Sequence, residues 1–427
     1  MPAITSVKGT RSFYPPEMGF RTWLYERVRD VSRRFGYQEF DGPFLETMDL
    51  YTAKSGDELV KEQAFVFQDR SGEQVALRPE LTPSLARMVA ERMNQLPVPI
   101  RWWSFGPFWR YERPQKGRAR EFFQWNIDLL GVDNPLADAE LVAITAEFFR
   151  AVGLTPGEVK IQVNNRRLMD SALTVMGLNE EVVRGLVFRL IDKREKMKPA
   201  DWEVYAQENG LDARQIKGIA GLLERRDLWK QSPELTEMFA AADLLGVGAY
   251  LEYNPAIVRG LDYYTGTVFE ARDSADEFRA ILGGGRYDNL VADVGGGKIP
   301  GVGFAMGDVV VGLVLAKYGK SPDIKTAPAD VLVTTFSKEE AAASLQAIRD
   351  LRDSGIAAEW YPAPERLPKQ LKYADALRIR YAVILGPDEV RQGTATIKDL
   401  LKREQATVAR GSLVTEMKRR LAGGSTQ

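Results

Sequence analysis

"RWWSFGPFWRYERPQKGRAREFFQWNIDLLG", residues 101–131, is the stretch whose reading decides the fold. Two β-like runs, RWWSFGPFWRYE and EFFQWNIDLLG, are joined by the polar, basic RPQKGRAR. That pattern predicts an antiparallel hairpin with a long loop. Strand side chains alternate between faces, and the alternation sorts the second run. Phe123, Trp125, Ile127 and Leu129 point toward a core, while Phe122, Gln124, Asn126 and Asp128 point the other way. On the first run Arg110 and Glu112 share a face. A solvated sheet face has no use for Phe122 in its polar row or for an arginine-rich loop above it. A floor for a ligand uses both.

Composition limits the chemistry that such a floor can support. At 427 residues the chain is too long for one core, so two or three domains are expected. No apolar run approaches the roughly 20 residues needed to cross a bilayer. The opening MPAITSVKGTR lacks an apolar signal core, so a soluble, cytoplasmic protein with no membrane partner is expected. The chain holds no cysteine and no histidine. Disulfides, thiolate nucleophiles, cysteine or HExxH metal sites, Ser-His-Asp triads and imidazole bases are thereby excluded. Catalysis is left to Arg, Lys, Asp, Glu, Tyr, backbone donors or a metal brought by a ligand. A net charge of −1 gives no global pull toward nucleic acid, which leaves local clusters. KGRAR (116–120) is a candidate, whereas DKREKMK (192–198) reads better as a solvated face.

Outside the hairpin, Leu24, Val28, Val31 and Phe35 repeat at helical spacing before Gly36. YQEFDGPFLE reads as a strand interrupted by Pro43, hence an edge or an interface. QAFVFQD and VALRPE read as strands, and a helix runs from Thr82 to about residue 93. Another strand at 158–166 ends in Asn164-Asn165-Arg166, and from about 168 to 243 a helical insertion follows. Strands return at 257–272 and 278–283, then two glycine clusters, GGGRYD (283–288) and VGGGKIPGVGFAMGD (294–308), and an apolar helix at 309–317. After the proline-containing linker SPDIKTAPAD (321–330), a βαβαβ pattern predicts a small parallel-sheet domain. The domain boundary is drawn between 1–325 and 326–427.

Arg110, Arg118, Arg120 and Arg259 form a set of cations over a sheet. Arginines aimed at one place suit a polyphosphate, whose transferring group is stabilised mainly by electrostatics. Phe122 is suited to stack on an adenine and Glu112 to read its exocyclic amine. No Walker A stretch is present, and GVGFAMG alone is a weak GxGxxG-like match, more often packing. A carboxylate that attacks an α-phosphate is already ionised at pH 7 and needs no protein base. A histidine-free site is therefore well matched to amino-acid activation.

The motifs FWRYERPQKGRAREFFQ, VRGLDYYTGTVFE, GGGRYDNL and GVGFAMG resemble those of the class II histidyl-tRNA synthetases. KGTRSFYPPE, LRPELTPSLAR, KQLKYADALRIRYAVILGPDEV and GTATIKDL extend the resemblance over nearly the whole chain, with the insertion the faint part. The resemblance implies an α+β catalytic domain on a six-stranded antiparallel sheet, a helical insertion and a C-terminal α/β anticodon-binding domain. It also implies a homodimer, with the first helix and the Pro43 strand at its interface. ATP with Mg²⁺, L-histidine and tRNA(His) are the implied ligands. Glu80 and Thr82 would hold the amino acid's ammonium, and Gln124 would contact the substrate. Arg110 would bind the α-phosphate and the substrate carboxylate, and Arg259 would stabilise the α-phosphate. Glu112 and Phe122 would take the adenine. Tyr263 and Tyr264 would line the imidazole pocket with Tyr287 nearby. Arg118 and Arg120 would belong to a loop that meets the ATP phosphates and the tRNA acceptor end.

Two positions depart from that pattern. Asp128 stands where the family commonly has a glutamate that accepts an imidazole N–H, so it is one methylene short. Val310 stands where the family carries an arginine for the ATP γ-phosphate, which leaves Arg118, Arg120 or Lys298 to supply the charge. The second departure keeps open an alternative, a non-catalytic, histidine-sensing regulatory subunit of ATP phosphoribosyltransferase. Tyr111 and Phe123 occupy positions where relatives often carry histidine. A chain that makes histidyl-tRNA gains by not needing that product for its own translation. Ribosome profiling under histidine limitation should show synthesis of this protein falling less steeply than that of histidine-containing proteins; an equal fall would reduce the missing histidines to compositional drift.

Overall fold

The computed structural model describes residues 4–52, 63–113, 117–194, 197–259 and 263–423. Lys116 of the basic loop, Glu195 and Lys196 of the second basic cluster, and Gly260, Leu261 and Asp262 of the 257–272 motif lie outside the described residues. The chain divides into two compact units, Met1–Tyr14 with Phe20–Pro322, and Pro15–Gly19 with Asp323–Gln427.

The first unit is organised by one large sheet. Its strands are β1 (Gln38–Glu39), β2 (Ile100–Trp109), β3 (Glu121–Leu130), β4 (Val159–Asn165), β5 (Leu251–Tyr253), β6 (Thr267–Asp273), β7 (Leu282–Tyr287) and β8 (Gly301–Gly307). Their order is β1-β2-β3-β8-β7-β6-β4-β5. The sheet thus has eight strands, where six were expected. The inner six pair antiparallel, and β1 and β5 add to the two edges in parallel. Both additions are short stretches of chain in transit: β1 ends before Pro43, and β5 follows the helical insertion. Edge strands this short offer little backbone for unwanted pairing.

The hairpin forms as its alternation predicts. Phe105 faces Trp125 and Ile100 faces Leu130 across the β2–β3 ladder. Trp125, Ile127 and Leu129 are buried in the main core with Leu24, Val28 and Val31 of the first helix, Pro15–Arg34. The helix Pro135–Ala151, started by the Asn134 side chain accepting from the Leu136 N–H, packs into the same core. A separate three-stranded sheet carries Leu45–Thr47, Gln74–Leu77 and Phe65–Gln68, with Gln74–Leu77 in the middle. The insertion is helical, from Arg166–Val175 through Pro233–Leu244.

Around the glycine clusters the strands lie differently from expectation. Described residues 257–259 and 263–266 carry no strand, and the expected strand at 278–283 is displaced to Leu282–Tyr287. Pro255 and Ile257 are held by a side chain instead of a ladder: the Asn164 amide donates to both carbonyls, each at 3.0 Å. GGGRY and GVGFAMG are themselves central strands. Gly284 lies between strands, and a Cβ there would collide with the Gly303 carbonyl. Glycine in a strand interior usually marks such a close approach.

In the second unit, Val331–Val333, Ala358–Trp360 and Tyr381–Ile384 pair in parallel, as the βαβαβ pattern predicts. Thr394–Asp399 and Glu404–Ala409 extend the sheet antiparallel, so it is mixed, not parallel. A short turn suffices to join the last two strands, whereas a parallel crossover needs a dozen or more residues. No helix among the described residues is long and apolar enough to cross a membrane. Gly284→Ala should destabilise the first unit by about 1–3 kcal/mol through overpacking, measured as a lowered urea midpoint; an unchanged midpoint would contradict the close packing described for β7 and β8.

Candidate active site

The polar row of β3 faces a strip of the smallest residues. Gln124, Asn126 and Asp128 lie opposite Gly307, Ala305 and Gly303 of β8. One strand further, Ala305 and Gly303 lie opposite Gly283 and Gly285 of β7, and Gly283 lies opposite Glu270 of β6. With no large side chain at these positions of two adjacent strands, β8 and β7, the sheet leaves a cavity of about 330 Å³ above its middle. A shallower outer cavity adjoins it, and the two share Arg110, Glu112, Arg118, Gln124, Arg259 and Arg279 among their walls.

The inner wall is aromatic. Tyr263 and Tyr264 have ring centroids 4.9 Å apart, and Tyr263 meets Tyr287 edge-on at 6.0 Å. The Tyr263 hydroxyl donates to Glu80 Oε2 at 3.2 Å, and Thr82 opens the helix Thr82–Arg92 beside it. The Tyr287 hydroxyl donates to Asp128 Oδ1 at 2.6 Å. Burial pushes the Asp128 carboxyl up to about 7, against the pull of that hydroxyl. Gln124 Oε1 and Asn126 Nδ2 are buried with no hydrogen-bond partner among the described residues. Buried polar atoms are nearly always paired, and both of these side chains line the cavity.

Arg259 occupies the boundary between the two cavities. Its guanidinium lies over Gly283, where a Cβ would collide with it, and its Nη1 donates to Glu270 Oε2 at 2.5 Å. Burial raises the Glu270 carboxyl, but Arg259 and Arg272 outweigh it and hold the group below its usual range. Arg259 has φ 54°, a left-handed conformation costly for a residue with a Cβ. Arg166 holds this conformation: its guanidinium donates to the carbonyls of Val258, Arg259 (2.7 Å) and Tyr264 (3.0 Å). Arg166 follows the N-cap Asn165 of the first insertion helix, so the insertion and the Tyr263–Tyr264 wall are built together.

On the outer side, Arg110 donates from Nε to the Pro79 carbonyl at 2.9 Å and sits 5.4 Å from the Phe122 ring centre. Phe122 backs onto Phe108. Glu112 meets Arg118 at 3.2 Å. Arg120 stands apart from these, with its guanidinium 4.0 Å over the Tyr111 ring and its Nε donating to the Glu112 carbonyl. Lys298 is an exposed residue outside both linings. Four arginines, 110, 118, 259 and 279, therefore converge with the carboxylates of Glu112 and Glu270. The arrangement suits an anion on the outer side and a polar, ring-bearing molecule on the inner side. Arg279, Glu270 and Arg166 were missed by sequence reasoning. A charge in the apolar run FRAIL was the available signal for Arg279, whereas the partners of Glu270 and Arg166 are set by strand register and by a helix start.

A family model described as Histidyl-tRNA synthetase matches residues 9–308, and one described as Anticodon binding domain matches 330–420. The chain is 37% identical to the histidine–tRNA ligase of Opitutus terrae, over 96% of this chain and 97% of that protein. It is 38% identical to that of Thermoplasma volcanium, over 96% and 97%. The crystal structure of histidyl-tRNA synthetase from Nostoc sp. PCC 7120 superposes with a TM-score of 0.81 at 27% identity, covering 98% of this chain and all of that one.

The Asp128 carboxyl gives the site a pH signature. It keeps its proton in the folded state up to about pH 7, while in the unfolded chain it ionises near ~3.9. Unfolding between those values releases a proton, so this group's contribution to stability falls as pH rises from about 4 to about 7. The thermal midpoint of Asp128→Asn should gain steadily on that of the wild type as pH rises from about 4 to about 7; a difference that stays constant across that range would place the carboxyl in its ordinary titration range.

Proposed function

This chain belongs to the histidyl-tRNA synthetase family, and we propose from that premise how its cavity works as the active site of a histidine–tRNA ligase. Histidine enters the inner cavity with its imidazole among Tyr263, Tyr264 and Tyr287. Its ammonium lies toward Glu80 and Thr82, and Gln124 meets it from the floor. Asp128 accepts the imidazole N–H. The shorter side chain is offset by Gly303, which leaves the carboxylate room and lets Tyr287 hold it. ATP takes the outer cavity, with adenine on Phe122 and against Glu112, and Mg²⁺ arrives as part of the ATP complex.

A carboxylate oxygen of histidine attacks the α-phosphorus, the bond to the β-phosphate oxygen breaks, and pyrophosphate leaves. No protein base is needed, because the nucleophile is already ionised. Arg110 and Arg259 carry the step by meeting the charge that develops on the α-phosphate oxygens. The terminal ribose hydroxyl of tRNA(His) then attacks the adenylate carbonyl and AMP departs. Arg118 meets the phosphates from the outer wall. Arg120, over Tyr111, is placed better for the tRNA acceptor end than for ATP.

The observation that carries the reading is the position of Arg110 and Arg259 in the walls of both cavities. A regulatory subunit that only senses histidine has no use for a second, arginine-lined cavity, and this chain also carries an anticodon-binding domain. The division near residue 325, the cytoplasmic location and the homodimer belong to the same proposal. Phe44, Leu45, Val66 and Phe67 are each more than two-fifths exposed on or beside the small sheet, and a second copy of the chain is the natural cover. The purified protein should catalyse histidine-dependent ATP–pyrophosphate exchange, and Arg259→Ala should lower its kcat by about 100-fold or more with little change in the KM for histidine. Absence of exchange in the wild type would end the ligase reading, and survival of activity in the variant would end the role of Arg259.

A further inference from the structure

The outer cavity has a cation that neither the motifs nor the comparisons assign. Its helical side, the start of Asp308–Lys317, presents Val309 and Val310. The opposite side carries Arg279, from the loop that joins β6 to β7. That loop is rigidly anchored. The Ile281 N–H donates to the Ala271 carbonyl at 2.8 Å, and the Phe278 N–H donates to Asp273 Oδ1 at 3.1 Å. Asp273 is in turn held by Lys317 at 2.7 Å. The residue immediately before Arg279 is therefore fixed, and the guanidinium is presented from a firm base.

The surroundings of Arg279 suit an anion better than an internal partner. Its closest carboxylate, Glu112, is 3.9 Å away, beyond hydrogen-bonding distance, and Glu112 already meets Arg118 at 3.2 Å. Burial first, and then the Arg118 guanidinium, press the Arg279 pKa below its ordinary value. Like charges gathered around one cavity with few carboxylates are costly until an anion enters. The Arg279 side chain is 50% exposed, against 23% for Arg259 and 33% for Arg118. It is the most exposed of these three, and it lines the outer cavity in which the proposed function seats ATP.

We propose that Arg279 binds the β- and γ-phosphates of ATP and the departing pyrophosphate, supplying from the β6–β7 loop the positive charge that the valine-bearing start of the Asp308–Lys317 helix does not. Arg279 is then a catalytic residue of the first step, and this assignment rests on the ligase reading above. In this assignment the α-phosphate is left to Arg110 and Arg259.

Equilibrium binding of ATP and of AMP to wild type, Arg279→Ala and Arg279→Ala/Val310→Arg tests the assignment, with histidine binding and thermal melting as controls for folding. Arg279→Ala should weaken ATP by about tenfold or more, the loss of charge-assisted hydrogen bonds, and change AMP and histidine by less than about twofold. Adding Val310→Arg should recover at least about a third of the ATP affinity by returning the charge to the same cavity from the helix. Arg279→Gln serves as a second variant should the alanine form melt early. ATP affinity unchanged within about twofold, or AMP weakened as much as ATP, or no recovery on adding Val310→Arg, overturns the proposal. Wild-type exchange activity is scored separately: its absence defeats the ligase reading, while the ATP-against-AMP comparison still decides what Arg279 binds.

Discussion

Volume is the constraint on which the site depends. An antiparallel sheet normally fills both faces with side chains, and here two neighbouring strands withhold them at Gly303, Ala305, Gly283 and Gly285. The withheld volume is used by two groups from elsewhere. The Asp128 carboxylate takes the space over Gly303, and the Arg259 guanidinium takes the space over Gly283. A methyl group at either glycine would evict one of these groups from its position. The strip therefore explains together the length of Asp128, its bond to Tyr287 and the pairing of Arg259 with Glu270.

Electrostatics does the work that histidine does in many active sites. With no imidazole available, the chain gathers guanidinium groups, which stay charged at any physiological pH. Each is restrained through a different element: Arg110 by the Pro79 carbonyl, Arg118 by Glu112, Arg259 by Glu270 and Arg279 by an anchored hairpin loop. Oriented charges of this kind stabilise a transferring phosphoryl group without reorganising during the reaction. Left-handed backbone at Arg259 is part of the arrangement, and Arg166 offsets its cost with hydrogen bonds to three carbonyls.

Legibility in the sequence tracked how local the cause was. The β2–β3 hairpin and the helix of Leu24, Val28 and Val31 were readable because periodicity is a property of neighbours in the chain. The polar row of Gln124, Asn126 and Asp128 was readable for the same reason. GGGRYD and GVGFAMG were legible only as glycine clusters, because the demand for glycine there comes from adjacent strands and not from neighbours in the chain. The edge strand Leu251–Tyr253 was invisible, since three residues carry no period, whereas Gln38–Glu39 lies inside YQEFDGPFLE, which reads as an edge strand. Arg120 illustrates the opposite error: a cation beside Arg118 in sequence is turned by its strand end onto Tyr111.

Residue types and their spacing determined by themselves that this chain folds around an amphipathic hairpin. They also excluded imidazole and thiolate chemistry and supplied arginines suited to a polyphosphate. Tertiary structure alone decided which arginines meet. Arg279 and Val310 are 31 positions apart in the chain, yet both line one cavity, because β7 and β8 are neighbours and the Asp308–Lys317 helix begins where β8 ends. Register between strands is a long-range property, and in this protein it places the charge.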